Sequence, residues 1–460
     1  MENLAQDKIL EKIVSLCKRR GFVFQNSEIY GGVQGFYDYG PLGVEMKNNI
    51  KKLWWEEMTR GEENVVGIDG AIISHPKVWK ASGHLENFTD PLVDCKKCKK
   101  RFRADTLLEG MDIEEGATDK DLLQDLSAKL KSKKCPECGG ELTEPRRFNL
   151  LVETSLGVVE GEKNIAYLRG EACQNIYLDY QNVLDSSHLK IPFGIVQIGK
   201  AFRNEITPKQ FLFRQREFEQ WDLQWFTNPK EMEKWFKFWK ERRMKWYQNL
   251  ITQKDKIRFH EHGKDELAHY AKMAFDIQYQ TPFGWSEWEG IHWRGDWDLS
   301  RHGKFANKDF TYTDPITNEK FLPWIVETSG GVDRTFLFLL FDAYREEKDK
   351  DTTRVYLALH PQVAPIKVAV FPLLRNKPEL VDQAKKIFNE LKTCFNVAWD
   401  DRGNIGKRYY AQDEIGTPFC LTVDFDSLKD KAVTVRYRDT MKQERIAIDK
   451  LKEFFQTKLK

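Results

Sequence analysis

Apolar side chains recur at Met46, Ile50, Leu53, Trp54 and Met58 within GPLGVEMKNNIKKLWWEEMTRG, the spacing of one helical stripe. Gly-Pro opens this helix and Gly61 is a natural stop. A different period governs GIVQIGKAFRNE and REFEQWDLQWF, where alternation predicts two strands around a loop containing Pro208 and Lys209: a hairpin with a long tip. Period two puts Arg203 and Glu205 on one face of the first strand. In the second strand, Phe218, Gln220, Asp222 and Gln224 share one face, and Trp221, Leu223 and Trp225 share the other. One side is buried by large aromatics; the other is polar and can seat a ligand. Helix and strand runs do not alternate as βαβ units, so the fold class is α+β, a largely antiparallel sheet with flanking helices.

Breaks in these patterns divide the chain. Cys95 to about Arg147 is charge-rich and contains one short helix candidate, TDKDLLQDLSAKLKSKK, so residues 95–147 read as an insertion in a body spanning 1–350. At YREEKDKDTTRV an apolar helix pattern gives way to charge, and a domain boundary is expected there. Beyond it, residues 355–460 alternate β-rich runs (IKVAVFPLL, FCLTVDFD, AVTVRYR) with helical ones (ELVDQAKKIFNELKT, IDKLKEFFQ), a separate α/β domain. The first residues, MENLAQDKILEKIVSLCKRRGF, form an amphipathic helix pattern without the apolar core of a signal peptide. No window approaches the roughly 20 apolar residues of a membrane helix. A cytoplasmic protein with no membrane partner is the expectation.

Charged residues make up 31% of the chain but leave a net charge of +2, so any nucleic-acid contact must come from local patches. Cys95, Cys98, Cys135 and Cys138 form two Cys-x-x-Cys pairs, each able to close a tight turn and give two thiolates to a tetrahedral Zn²⁺. Gly139 and Gly140 permit the turn after the second pair, and four sulfurs leave no open position, so the role assigned is structural. The basic run Lys96, Lys97, Lys99, Lys100, Arg101 and Arg103 either faces RNA or is a solvated surface. In the hairpin, arginine suits phosphate because its planar fork donates two hydrogen bonds and stays charged. Phenylalanine beside it offers a flat surface to a base. Arg-x-Glu alone is more often a surface ion pair; the stretch RNEITPKQFLFRQREF carries more.

That stretch resembles motif 2 of the class II aminoacyl-tRNA synthetases, an Arg-x-Glu followed by a loop and Arg-x-x-x-Phe, matched by Arg203, Glu205, Arg214 and Phe218. ETSGGVDRTFLFLL resembles motif 3, with Arg334 as its arginine, and YDYGPLGVEMKNNIKKLWW resembles motif 1, the helix of the family's dimer interface. SGHLENFTDPL, GWSEWEG, DWDLSRH, APIKVAVFPL and QDEIGTPFCLTVDFDSL are similar to the glycyl branch, dimeric and single-chain, and the resemblance covers nearly the whole length. It implies an enzyme that activates glycine with ATP and Mg²⁺, joins it to the 3′ end of tRNA(Gly), works as a homodimer, and binds the anticodon through its carboxyl-terminal domain.

Carried over residue by residue, the resemblance gives Arg203 to the α-phosphate, Glu205 to adenine or the RNA end, Phe218 to stacking on adenine, and Arg334 to adenine's other side or the γ-phosphate. Glu287 would touch nucleotide or Mg²⁺, and Asn204, Phe213, Arg214, Trp288 and Gly331 complete the ATP set. Arg203, Glu205 and Arg334 are the catalytic candidates. Glycine would be held by Glu171, Asp222, Glu327 and Ser329, with Arg103 as a further candidate; selection needs its ammonium and carboxylate gripped and no room left for a larger substituent. The chain departs from the family where Gly170, Ala172 and Cys173 flank Glu171, where Asp222 replaces Glu, and where Thr328 replaces Pro; Trp293 and Trp297 are expected to add bulk nearby. These departures keep open a class II enzyme for another small amino acid. A non-catalytic, nucleic-acid-binding subunit on the same fold should have lost Arg203 and Arg334, and both are present. In the carboxyl-terminal domain, Tyr409 and Tyr410 read either as base-stacking or core residues, and Arg436 and Arg438 as contacts to the RNA backbone.

Overall fold

The structure, a computed structural model, describes residues 2–108, 119–157, 164–263, 267, 271–349 and 352–459. The stripe read from the sequence forms helix α1 (Pro41–Gly61), with Pro41 in its first turn, where a missing N–H costs nothing. Met46, Ile50, Trp54 and Met58 are fully buried on it. Trp54 lies flat on Trp221 of the hairpin, their rings 5.4 Å apart, so helix and sheet are joined by the two largest side chains available.

Seven strands make the central sheet: β1 (Val65–Gly67), β2 (Phe193–Phe202), β3 (Glu217–Thr227), β4 (Ile257–Glu261), β5 (Met273–Thr281), β6 (Gly284–Gly295) and β7 (Trp324–Gly331). Their order is β4-β5-β6-β7-β3-β2-β1, antiparallel throughout except for the short β1 beside β2. Helices α2 (Met232–Leu250) and α3 (Val332–Ala343) cover one face together with α1. Trp225 of β3 meets Trp239 of α2 there, at 5.3 Å. Truncating a tryptophan in such a packed layer costs about 3–5 kcal/mol. The opposite face carries Asp222 and Gln224, both fully buried. Polar groups out of water need partners, and those partners form the candidate site.

The antiparallel hairpin β2–β3 forms as expected, with Gln197 opposite Asp222 and Ile198 opposite Trp221. One detail differs. Strand β2 ends at Phe202, so Arg203 and Glu205 stand in the turn beyond it, where the Glu205 N–H donates to Arg203 O at 2.7 Å. They share a loop wall instead of a strand face.

The polar run expected to mark a domain boundary is instead a hairpin, Tyr344–Asp349 against Thr352–Leu357. Arg354 on its second strand reaches Asp413 of the helix Ile405–Glu414 at 2.8 Å, so this strand packs against the last unit. That unit is a mixed sheet: Val368–Pro372 lies parallel to Val397–Trp399 and Phe419–Val423, and Ala432–Tyr437 and Gln443–Ala447 follow antiparallel. The helix Pro378–Lys392 buries Leu380, Ala384, Ile387 and Leu391 on it.

The insertion packs Thr89–Asp94 between Arg101–Arg103 and Arg146–Asn149. Its own core is small: Val93, Ala104, Leu108, Leu126 and Leu130. The expected helix runs Asp119–Leu130.

Candidate active site

A cavity of about 420 Å³ opens on the polar face of the sheet, lined among others by Glu171, Arg203, Glu205, Phe213, Arg214, Phe218, Glu287, Glu327, Ser329, Gly331 and Arg334. Eleven residues singled out in the sequence therefore meet at one place. The cavity has two chemically distinct ends.

The cationic end is built from the turn after β2, the start of β3 and the first turn of α3. Arg203 donates through Nε to Gly170 O at 3.0 Å, and its guanidinium lies between the rings of Phe88 and Phe218, at 5.2 and 5.3 Å. Arg334 donates to Glu287, at 2.9 Å to its backbone O and 3.0 Å to Oε2, and lies over Phe213 at 4.6 Å. Phe213 thus supports Arg334, a role the sequence did not indicate. The charge of Arg334 holds the Glu287 carboxyl below its ordinary value. Across β5 and β6, burial and the charge of Glu287 keep Asp276 raised, and His262 sits 3.0 Å from it.

The acidic end follows from strand register. Asp222, Ser329 and Gly290 align across β3, β7 and β6, and Gln224, Glu327 and His292 form the next row. Gly290 has no space for a side chain, since a Cβ would meet the His292 ring at 2.6 Å. Glu327 accepts from Arg294 and Gln224, each at 2.9 Å, and lies 2.8 Å from His292. Burial opposes its charge, yet Arg294 and His292 pull its pKa down to about 2. Asp222 has the reverse balance: burial first and the nearby Glu327 second push it well above the ordinary value. Glu171, 3.3 Å from His84 and accepting from Gln174 at 2.8 Å, is held low by His84 against its burial. Oxygens of Asp222 and Glu327 and the Cys173 sulfur all lie within 4.8 Å of one another. Ser329 accepts from Gln220 at 2.6 Å.

Four expected residues fall outside the cavity lining; Asp222 is one, fully buried beside Glu327. Trp288 is fully buried in the core, donating to Thr335 at 2.8 Å; its neighbour Glu287 faces the cavity, and alternation sends the tryptophan the other way. Arg103 is consumed by Asp90 at 2.8 Å and Asp105 at 2.6 Å, in the insertion's sheet. Asn204 is exposed and gives its backbone N–H to Leu150 O. The expected bulk of Trp293 also points away, against Phe236 and Trp324, and Trp297 lies under Arg301 at 4.9 Å.

Residues the sequence reading left unassigned supply the frame. Arg294 forks onto Asp298 at 2.8 and 3.1 Å, one helical turn along; the arginine and aspartate of WRGDWDLSRH were the available signal. His84 lay in SGHLENF, and Gln224 shares the period-two face of Asp222.

In the insertion, the four cysteine sulfurs lie within 4.8 Å of one another, Cys95 to Cys138 at 3.5 Å and Cys98 to Cys135 at 3.7 Å. Metal–sulfur bonds of about 2.3 Å in a tetrahedron need sulfurs about 3.8 Å apart, so the set fits a metal ion. Gly139 turns with φ +67°, and a Cβ on Gly140 would crowd Cys95 and Cys138 at 3.1 and 3.3 Å. Around it Lys96, Lys100 and Arg101 pair with Glu141, Glu137 and Asp94. Among the described residues no helix is long and apolar enough to cross a membrane.

Comparison with known proteins agrees with this geometry. Residues 158–358 match the family described as "tRNA synthetase class II core domain (G, H, P, S and T)", and residues 367–458 match "Anticodon binding domain". The chain is 51% identical over 457 residues to the glycine–tRNA ligase of Treponema denticola, covering 98% of this chain and 97% of that one. It is 50% identical over 456 residues to that of Borreliella burgdorferi, with the same coverage. It is 50% identical over 459 residues to that of Caldanaerobacter subterraneus, covering 98% of each. A class II core with an anticodon-binding domain behind it and half its residues shared along the full length of such enzymes makes this chain a member of the glycine–tRNA ligase family.

Proposed function

We propose that the cavity binds ATP at its cationic end and glycine at its acidic end, forms glycyl-adenylate, and passes the glycyl group to the 3′ end of tRNA(Gly). The observation that carries this is the division of one cavity: Arg203 and Arg334 backed by aromatic rings on one side, Glu171 and Glu327 on the other, with the buried Asp222 beside Glu327. A polyphosphate suits the first and an ammonium the second.

A glycine carboxylate oxygen attacks the α-phosphorus in line, a P–O bond forms, and the bond to the bridging oxygen breaks to release diphosphate. Arg203 neutralises charge on the α-phosphate and Arg334 grips the nucleotide, so the acceleration is positioning and preorganised charge with no covalent protein nucleophile. A ribose hydroxyl of the RNA then attacks the glycyl carbonyl and AMP leaves. Glu287 would hold the Mg²⁺ that enters with ATP, and when bound it adds charge neutralisation. Glu171, Asp222, Glu327 and Ser329 grip the ammonium, and Arg294 and His292 keep Glu327 ionised to do so. The four cysteines take Zn²⁺ as a structural ion. A homodimer through the exposed parts of α1 completes the reading; a sedimentation velocity run returning only monomer at working concentration would remove it.

Amino-acid-dependent ATP–diphosphate exchange tests the core of this, with glycine, alanine, serine and proline offered in turn and Arg203→Ala as control. Exchange with glycine alone, lost in the variant, is expected. Exchange with another of the four would keep the nucleotide site and reassign the acidic end.

A further inference from the structure

The cavity's cationic end contains two carboxylates that the proposed chemistry does not employ, Glu219 and Asp333. Each follows a residue that holds the nucleotide or precedes one: Glu219 comes after Phe218 on β3, and Asp333 comes before Arg334 in the first turn of α3. Both would repel a triphosphate. Their shared counter-ion comes from a third element, α1. The Lys47 ammonium lies 2.8 Å from Glu219 Oε2 and 2.6 Å from Asp333 Oδ1, and Lys47 is only 9% exposed. Lys51, one turn further, reaches Glu219 at 3.0 Å. Asp333 also accepts the Tyr39 hydroxyl and the Glu219 N–H, the latter at 2.5 Å.

One buried ammonium therefore ties the helix that resembles motif 1 to both segments that grip the nucleotide. Burial alone would discharge such a lysine. Here Asp333 and Glu219 outweigh that burial and hold Lys47 charged, and Lys47 in turn outweighs the burial of Glu219 and keeps that carboxylate ionised.

We propose that Lys47 is a positioning residue for ATP, cancelling the two wall carboxylates and fixing Phe218 and Arg334 at their places without touching substrate. This rests on the cationic end being the ATP site. Close charge pairs of this kind are felt across several ångströms of protein, so the effect falls on the tetraanion and spares glycine.

The test uses the full chain: ATP binding by calorimetry without glycine, and KM for ATP and for glycine in diphosphate exchange. In Lys47→Met, ATP affinity falls about tenfold or more, while KM for glycine stays within about twofold. Adding Glu219→Gln to Lys47→Met restores most of the loss, and Lys47→Arg keeps ATP affinity near that of the parent. Glu219→Gln alone, which needs no loss of Lys47 and decides the matter if Lys47→Met does not fold, tightens ATP about twofold. A merely structural lysine predicts otherwise: ATP and glycine weakened alike, no rescue by Glu219→Gln, or looser ATP in Glu219→Gln alone, each of which overturns the proposal. Arg334→Ala separates the two levels. Lost ATP binding there with intact binding in Lys47→Met defeats the Lys47 role only; intact binding in Arg334→Ala defeats the ATP-site reading and Lys47 with it.

Discussion

Arg203 and Arg436 occupy similar stretches of sequence, each beside aromatic residues near the end of a strand, and both were candidates for contact with phosphate. In the molecule they differ in what their donors already hold. Among the described residues the Arg203 side chain is hydrogen-bonded only through Nε, to Gly170 O, and it lines the cavity. Arg436 is 4% exposed and forks onto Asp413 at 2.8 and 3.0 Å. Arg438 is equally spent, on Gly416 O at 2.7 Å, Leu359 O at 2.8 Å and Asp439. The expected RNA contacts of Arg436 and Arg438 are thus corrected to structural bonds, and Tyr409, under the Arg436 guanidinium at 4.9 Å and bonded to Thr422, belongs to the same packing. An arginine is available to a ligand when no carboxylate of its own chain has claimed its fork, and that depends on residues far away in sequence.

Exchanging the two fates is the severest check. Asp413→Ala strands Arg436 without its carboxylate and leaves Arg354 to the carboxylate of Glu347, and unpairing a buried charge costs about 3–5 kcal/mol. Thermal unfolding should show that loss, while glycine-dependent exchange at 25 °C persists. Arg203→Ala should do the opposite, cutting exchange by about 10²–10³ with unfolding moved by no more than about 0.5 kcal/mol. An Arg203 variant that is destabilised as much as Asp413→Ala would erase the distinction.

The cysteine cluster sharpens it at a lower level, because there the claim on side chains is made by a metal. With five buried apolar residues in its own core among the described residues, the insertion should open when Zn²⁺ is chelated. Proteolysis between residues 89 and 149 should then rise about tenfold, equivalent to about 1.4 kcal/mol of local stability. Unchanged cleavage after verified metal removal would show that the packing suffices alone.

What the sequence made legible was local. The α1 stripe, the alternation on β3 and the Cys-x-x-Cys turns are each set by neighbours within a few residues. The same rule, applied one residue further, would have excluded Trp288, which must face away from Glu287 on one strand. The hairpin Tyr344–Leu357 was read as a boundary because its strands carry charge where half-buried strands alternate; it is anchored instead by Arg354 to Asp413, 59 positions on. The support of Glu327 by Arg294, Gln224 and His292 was out of reach, since it arises from the register of three strands, with partners from 33 to 103 positions away in sequence.

The finest consequence concerns Asp222 and Glu327, neighbours of opposite bias. Glu327, ordinarily near 4.5, is brought to about 2, so the stability its charge contributes is present above 4.5 and lost as pH falls toward 2. Asp222 is raised above 3.8, so its contribution is complete below 3.8 and disappears as pH rises through the raised value, where ionisation beside Glu327 becomes a cost. Asp222 therefore keeps its proton over a range in which an ordinary aspartate has lost it. A glycine ammonium placed beside the carboxyl favours the charged form and lowers its pKa, so binding expels that proton. Calorimetric titration with glycine in two buffers of different ionisation enthalpy should report release of up to about one proton per site in this window. Asp222→Asn, which keeps the shape and cannot ionise, should bind glycine with no release and should flatten the rise in instability with pH. If the variant releases as many protons as the parent, the proton comes from another group, and Asp222 meets the ammonium already ionised.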